Sequence, residues 1–210
     1  MNFIEESRAI DRWISHKVKQ LAFPQTCRNR VSVGLLHYSL ELQTAFFLLV
    51  ENRLIGSAYA LMRPIYESYV RACWLHLVAT DEDLEHFKKD NAYRIKNPAT
   101  GKWNNRSFDQ IIQDLEQIDN RFVDTIATIK QKNWKVMNSL IHGGAEQIYR
   151  RISGETIQGV QAEADELRRV SGFVSSIALL SALELAKIAE NNSFAKEVVE
   201  RLTRRSETGE

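Results

Sequence analysis

Punctuation is scarce in this sequence. Three prolines and nine glycines interrupt 210 residues, which leaves little room for the turns that a strand-rich fold needs. The two cysteines, Cys27 and Cys73, are too few for a disulfide framework and stand at no zinc or redox spacing. A reducing, cytoplasmic setting fits that usage best. Neither sign of charge dominates, with 28 basic against 27 acidic residues, so no whole-molecule field draws the chain to nucleic acid or to an anionic membrane, and a polyanion site has to be local. No stretch rich in Pro, Gly or Ser divides the chain, which predicts one domain over residues 1–205 and a disordered tail over 206–210. The segment Met1–Asp11 is charged and helical in pattern, unlike a signal peptide. The most lipid-like run, Phe173–Ala189, is interrupted by Ser175, Ser176, Ser181, Glu184 and Lys187 and reads as a buried core helix of a soluble protein, with no membrane contact.

Apolar residues at spacings of three and four fill the long stretches between breakers. The spacing predicts an all-α, single-domain bundle of about seven to nine helices. A first helix is expected over Asn2–Leu21, ended by Pro24, and a second over Arg30–Asn52, apolar around much of its circumference and so covered by several neighbours. A third is expected over Ala58–Ala79 with Ser57 as N-cap, then one from Thr80 to Ile95, a loop over Asn97–Asn105 with Pro98 and Gly101, and a helix over Phe108–Ile118 capped by Ser107. Another helix from Arg121 should end at His142, because Gly143 and Gly144 supply left-handed positions. A short helix Ala145–Ile152, a turn over Ser153–Gly159, a long helix Gln161–Asn191 and a last one over Phe194–Arg205 complete the reading.

Between Ala58 and Ala79 the only formally charged side chains are Arg63, Glu67 and Arg71, four apart and therefore neighbours on one helix face. Tyr66 and Trp74 lie along the same band. Pro64 predicts a kink or a helix start beside Arg63. Three readings stay open: an exposed salt-bridge ladder, a carboxylate clamped between two arginines that ties this helix to the one bearing His142, or a site in which Glu67 orients an arginine toward a phosphate or carboxylate. His142 sits at a predicted helix C-terminus, where a capping role is the simplest account. His76 stands about 140° around an ideal helix from Arg71. His37, within an apolar helix, reads as a hydrogen-bonded core residue. Glu82, Asp83, Glu85 and His86 read as a solvated helix start, and Arg150-Arg151 and Arg168-Arg169 as solvated faces. No metal-ligand spacing, phosphate-binding glycine loop or nucleophile elbow occurs, so neither metal nor cofactor is expected.

The run Leu61-Met62-Arg63-Pro64-Ile65-Tyr66-Glu67-Ser68-Tyr69-Val70-Arg71, followed later by Trp134-Lys135-Val136-Met137-Asn138-Ser139-Leu140-Ile141-His142-Gly143-Gly144, resembles an uncharacterised bacterial helical family and, more distantly, HEPN-type proteins. That resemblance implies a metal-independent ribonuclease of a defence or toxin system, using an arginine and a histidine four to six residues apart, in a homodimer that completes the site. Arg71 and His76 have that separation, although Ala72 stands where a polar residue is usual. A second pairing brings His142 to Arg63 from another helix. The histidine would assist attack by a ribose 2′-hydroxyl and the arginine would stabilise the charged phosphorane, with Glu67, Tyr66, Trp74 and Asn138 as binding residues and RNA or a protein as partner. The alternative is a non-catalytic interaction module, such as an antitoxin, a regulator or an assembly subunit.

Overall fold

The computed structural model describes residues 3–90, 92–97 and 99–208. The expected positions of Asn2, Pro98 and the last two residues of the tail lie outside the described residues. The bundle is all-α, with little sheet. Its helices are α1 (Phe3–Val18), α2 (Cys27–Glu51), α3 (Ile55–Ala60), α4 (Met62–Leu77), α5 (Asp81–Asp90), α6 (Phe108–Ile118), α7 (Thr128–Ile141), α8 (Ala145–Tyr149), α9 (Ala164–Ile188) and α10 (Asn192–Thr208). At the centre α2 lies against α4 and α9, α1 and α10 close over α9, and α6 and α7 cover the remaining side of α4. Phe46, Ile65, Tyr66, Trp74, Ile177 and Leu185 are fully buried along these contacts. Each large apolar side chain so buried contributes roughly 1.5–3 kcal/mol.

Local chemistry explains most boundaries. Thr26 caps α2 through Asn29, and Ser107 and Gln110 form a reciprocal capping box at the start of α6. Thr80 and Asp83 bond each other's backbone amides at the start of α5. The helix expected over Ala58–Ala79 is instead two pieces that meet at Leu61, and Ser57 lies inside α3 rather than capping anything. Pro64 is the cause: it has no N–H to close onto Ala60, so the chain restarts at Met62 and the proline falls in the first turn, where a missing donor costs little. This is the helix start beside Arg63.

Two small hairpins replace expected helix ends and loops. β1 (Arg94–Lys96) pairs antiparallel with β2 (Trp103–Asn105), so α5 stops at Asp90 instead of reaching Ile95. Tyr93 draws the chain out of the helix by packing on Trp74 and Phe87. β3 (Ile152–Ser153) and β4 (Thr156–Ile157) form the second hairpin, turned by Gly154 at φ +60. Ahead of α7, Val123–Ala127 makes a wider π turn, and the Ile126 carbonyl accepts the Tyr66 hydroxyl at 2.6 Å. The last helix continues to Thr208, past the tail expected from Ser206.

Two helices, α2 and α9, are long and apolar enough to cross a membrane by length and composition. The apolar stretch of α9 is 72% buried inside the bundle, that of α2 only 39%. Among the described residues one side of α2 is therefore uncovered, contrary to the expectation that neighbours would surround it.

Candidate functional site

Two helices each present three side chains at four-residue spacing, and the two rows meet. On α4 the row is Arg63, Glu67 and Arg71; on α7 it is Trp134, Asn138 and His142. Arg63 is the junction. Its Nε donates to Glu67 Oε1 at 2.6 Å, and its Nη1 donates to Asn138 Oδ1 at 2.6 Å and lies 3.1 Å from His142 Nε2. A guanidinium only donates, so the imidazole can take part in this contact only as the acceptor, through Nε2. The guanidinium carbon also sits 4.5 Å from the Trp134 ring centre.

Arg71 closes the other side of the same carboxylate, with Nη2 at 3.1 Å from Glu67 Oε2. Its guanidinium lies over Tyr93 at 5.1 Å and Phe108 at 5.8 Å. Phe108 in turn stacks on Trp134, with ring centres 5.0 Å apart and planes within 10°. The result is a closed ring of five side chains, Arg63, Glu67, Arg71, Phe108 and Trp134, that spans α4, α6 and α7. Glu67 is the most enclosed of its three charges, at 13% exposure against 21% for Arg63 and 34% for Arg71. One carboxylate between two guanidinium groups leaves one positive charge in excess. His142 is exposed at the open edge of this ring.

The turn after α7 holds that imidazole in place. His142 is the C-cap residue, Gly143 follows at φ +63, and the Gly144 amide reaches the Ser139 carbonyl at 2.8 Å. This is a Schellman closure, which needs glycine at the left-handed position. A Cβ at Gly144 would stand 2.6 Å from Ser139 Oγ, the atom that accepts the Glu146 amide and so starts α8. The glycine pair that ends α7 thus also sets the angle at which α8 leaves.

Residues 36–206 match the model of a family of unknown function, DUF6988. The chain belongs to the DUF6988 family. No curated protein and no solved structure matches it. All six residues of the two rows fall within the matched span of this DUF6988 member, whereas α1 and the first third of α2 precede it.

The other residues singled out in the sequence lie elsewhere. His76 does not join Arg71: it stands at the C-terminal end of α4, half-buried, with Glu184 and Arg28 as its charged neighbours. Burial pushes its proton affinity below that of an ordinary histidine, an effect that Glu184 opposes and Arg28 reinforces. Its Nδ1 is enclosed without a hydrogen-bond partner. Tyr66 and Trp74 are core residues, the first bonded to the Ile126 carbonyl and the second donating Nε1–H to Asp114 at 2.9 Å; neither opens to a ligand. His37 is exposed, not a core residue. Arg150 pairs with Glu166 at 2.7 Å and lies over Tyr59. Asp83 and His86 are more than a solvated helix start, since Asp83 caps α5 and His86 packs on Trp103 at 3.8 Å. Among the described residues no group of three or more His, Cys, Asp or Glu side chains is placed to hold a metal ion.

Three participants escaped the sequence reading. Phe108 and Tyr93 complete the aromatic walls around the arginines, and Arg28 closes the end of α4 by donating to the carbonyls of Leu75, His76 and Ala79 and by pairing with Asp81 at 2.9 Å. The four-residue spacing of Trp134, Asn138 and His142 was available as a signal for the α7 row; nothing local marks the other three.

Proposed function

We propose that this domain cleaves RNA without a metal, as part of a bacterial defence or toxin system, and that Arg63 and His142 are its working pair. The observation that carries the reading is the 3.1 Å contact between Arg63 Nη1 and the exposed His142 Nε2, made within one chain. An incoming phosphodiester competes for the Arg63 N–H groups and releases the imidazole lone pair. His142 Nε2 then takes the proton from the ribose 2′-hydroxyl, the 2′-oxygen attacks phosphorus, and the 5′-oxygen leaves with a proton from solvent. Arg63 faces the charge that grows on the phosphorane oxygens. Glu67 and Asn138 are positioning residues: they fix the guanidinium plane so that no reorganisation is needed as that charge develops. Products would carry 2′,3′-cyclic phosphate and 5′-hydroxyl ends.

The test is incubation of the purified chain with RNA in the presence of a chelator, with analysis of the ends formed. Cleavage to cyclic phosphate that disappears in His142→Ala and Arg63→Ala, both still folded by circular dichroism, supports the proposal. RNA left whole by the unaltered chain across a range of pH and sequence overturns it.

A second reading draws on a different observation. Arg63 is held by Glu67, Asn138, His142 and Trp134 together, which fastens α4 to α7 in the manner of a structural clamp. On this reading the domain is a non-catalytic antitoxin, regulator or assembly subunit. It is favoured if Arg63→Ala lowers the melting temperature while no RNA is cut or bound.

A further inference from the structure

The side of α2 turned away from α4 carries an unused helical stripe. Val33, His37, Glu41, Thr44 and Leu48 recur at spacings of three and four and line an open groove of about 480 Å³, walled on its far side by Val18 and Phe23. A second hollow of about 360 Å³ continues it past Gly34 to Arg30. Ser39, on the opposite side of the helix, donates to the Ile65 carbonyl of α4, so His37, Glu41 and Leu48 face outward from the bundle, while Thr44 at the edge of the stripe donates to Asp11 of α1 at 2.7 Å. Leu48 is 46% exposed on it, and a Cβ on Gly34 would meet nothing within 4 Å. An uncovered stripe about five turns long, bordered by a second helix, has the form of a seat for one more helix.

We infer that this stripe is the contact between two copies of the chain, with their α2 helices antiparallel about a two-fold axis that passes between Leu40 and Glu41. The order of residues supplies the argument. Arg30 and Glu51 lie equally far from that midpoint, at opposite ends of the helix; so do Val33 and Leu48, and so do His37 and Thr44. Antiparallel pairing therefore sets each Arg30 against the other copy's Glu51 and each Val33 against the other's Leu48, as an isologous contact requires. Glu51 is 42% exposed at the rim, where it meets Arg8 at 3.2 Å and has room for a second cation. Charges at both ends and in the middle of the stripe disfavour the hydrocarbon of a membrane as its occupant. The arginine and histidine of each candidate site meet inside one chain and on the other side of α2, so this dimer leaves two independent sites. The inference does not rest on the ribonuclease reading.

Sedimentation equilibrium of the full chain over a concentration series tests it. Twice the chain mass is expected, with Val33→Glu and Leu48→Glu sedimenting as monomers of unchanged helix content. Arg30→Glu and Glu51→Arg should each weaken the dimer by about tenfold, as expected when both symmetry-related rim charge pairs are lost, and the double exchange should restore it. In a Cys27→Ser background, Glu41→Cys should cross-link to itself on mild oxidation, because the two copies of that position come together at the axis. The exchange also removes the repulsion between the two facing Glu41 carboxylates, a cost that the Arg30–Glu51 pairs and the apolar contacts have to outweigh. A monomer at all concentrations, a dimer indifferent to Leu48→Glu, a double exchange no better than either single change, or binding of the monomer to phosphatidylcholine vesicles would each overturn the inference.

Discussion

The two ends of α4 offer the same two residue types and use them in opposite ways. At the N-terminal end Arg63 reaches an exposed imidazole contributed by α7, and an aromatic and carboxylate ring holds the guanidinium rigid. At the C-terminal end Arg71 turns back to Glu67 and the aromatic wall, while His76 is half-buried behind Arg28. Five residues along a helix bring two side chains to different faces, whereas the crossing of α4 and α7 brings all three side chains of the α7 row onto the single guanidinium of Arg63. Proximity in sequence and convergence in space point to different histidines.

The largest effect expected from breaking this arrangement is at Glu67. Glu67→Ala leaves two partly buried guanidinium groups without their shared carboxylate and should cost about 2–3 kcal/mol, less than a fully buried pair because both arginines touch solvent. Urea unfolding at neutral pH measures it; a loss under 0.5 kcal/mol would reduce the ring to a surface ladder. Next comes the contrast between the two imidazoles. His142→Ala should lower RNA cleavage by about 10²- to 10⁴-fold and move stability by less than about 0.5 kcal/mol, as expected of an exposed side chain. His76→Ala should leave cleavage within about threefold and lower stability by about 1 kcal/mol through lost packing. If cleavage instead follows His76, the two ends of α4 have been assigned the wrong way round.

Gly144→Ala should be milder, at about 1–2 kcal/mol, because Ser139 has to yield to the new methyl group. Its cleavage should fall further than its stability accounts for, since the turn that aims His142 is displaced; proportional losses in both would remove the positioning role. The smallest expected effect is a pH dependence. Burial lowers the folded-state proton affinity of His76 below the unfolded value near 6.5, so the unfolded chain binds the extra proton first and stability declines as pH falls through 6.5 toward the lower folded value. His76→Gln should flatten that part of the stability curve.

Much of the fold was legible because its signals are local. The Ser107 cap, the Gly143-Gly144 stop and the apolar period over Phe108–Ile118 each act within a few residues, and the structure places those boundaries where the sequence does. Pro64 announced a disturbance beside Arg63, though not the separate helix α3. The hairpin at Arg94–Asn105 was illegible because its cause is the packing of Tyr93 on Trp74 and Phe87, contacts across the fold that leave no periodic trace. The site divides along the same line. The Arg63, Glu67 and Arg71 row is written in one helix, and His142 at the glycine stop was visible as a candidate. Their meeting depends on how α7 crosses α4, and no spacing within either helix encodes that. His37 departs from the expected core position for a related reason: an apolar composition implies enclosure, yet among the described residues one face of α2 is left exposed.

The most direct test of the central claim is end analysis of RNA incubated with the unaltered chain, His142→Ala and His76→Ala, side by side in chelator. The account predicts cyclic phosphate ends from the first and the third and intact RNA from the second. Intact RNA in all three, or loss of cleavage in His76→Ala with His142→Ala still active, would contradict it.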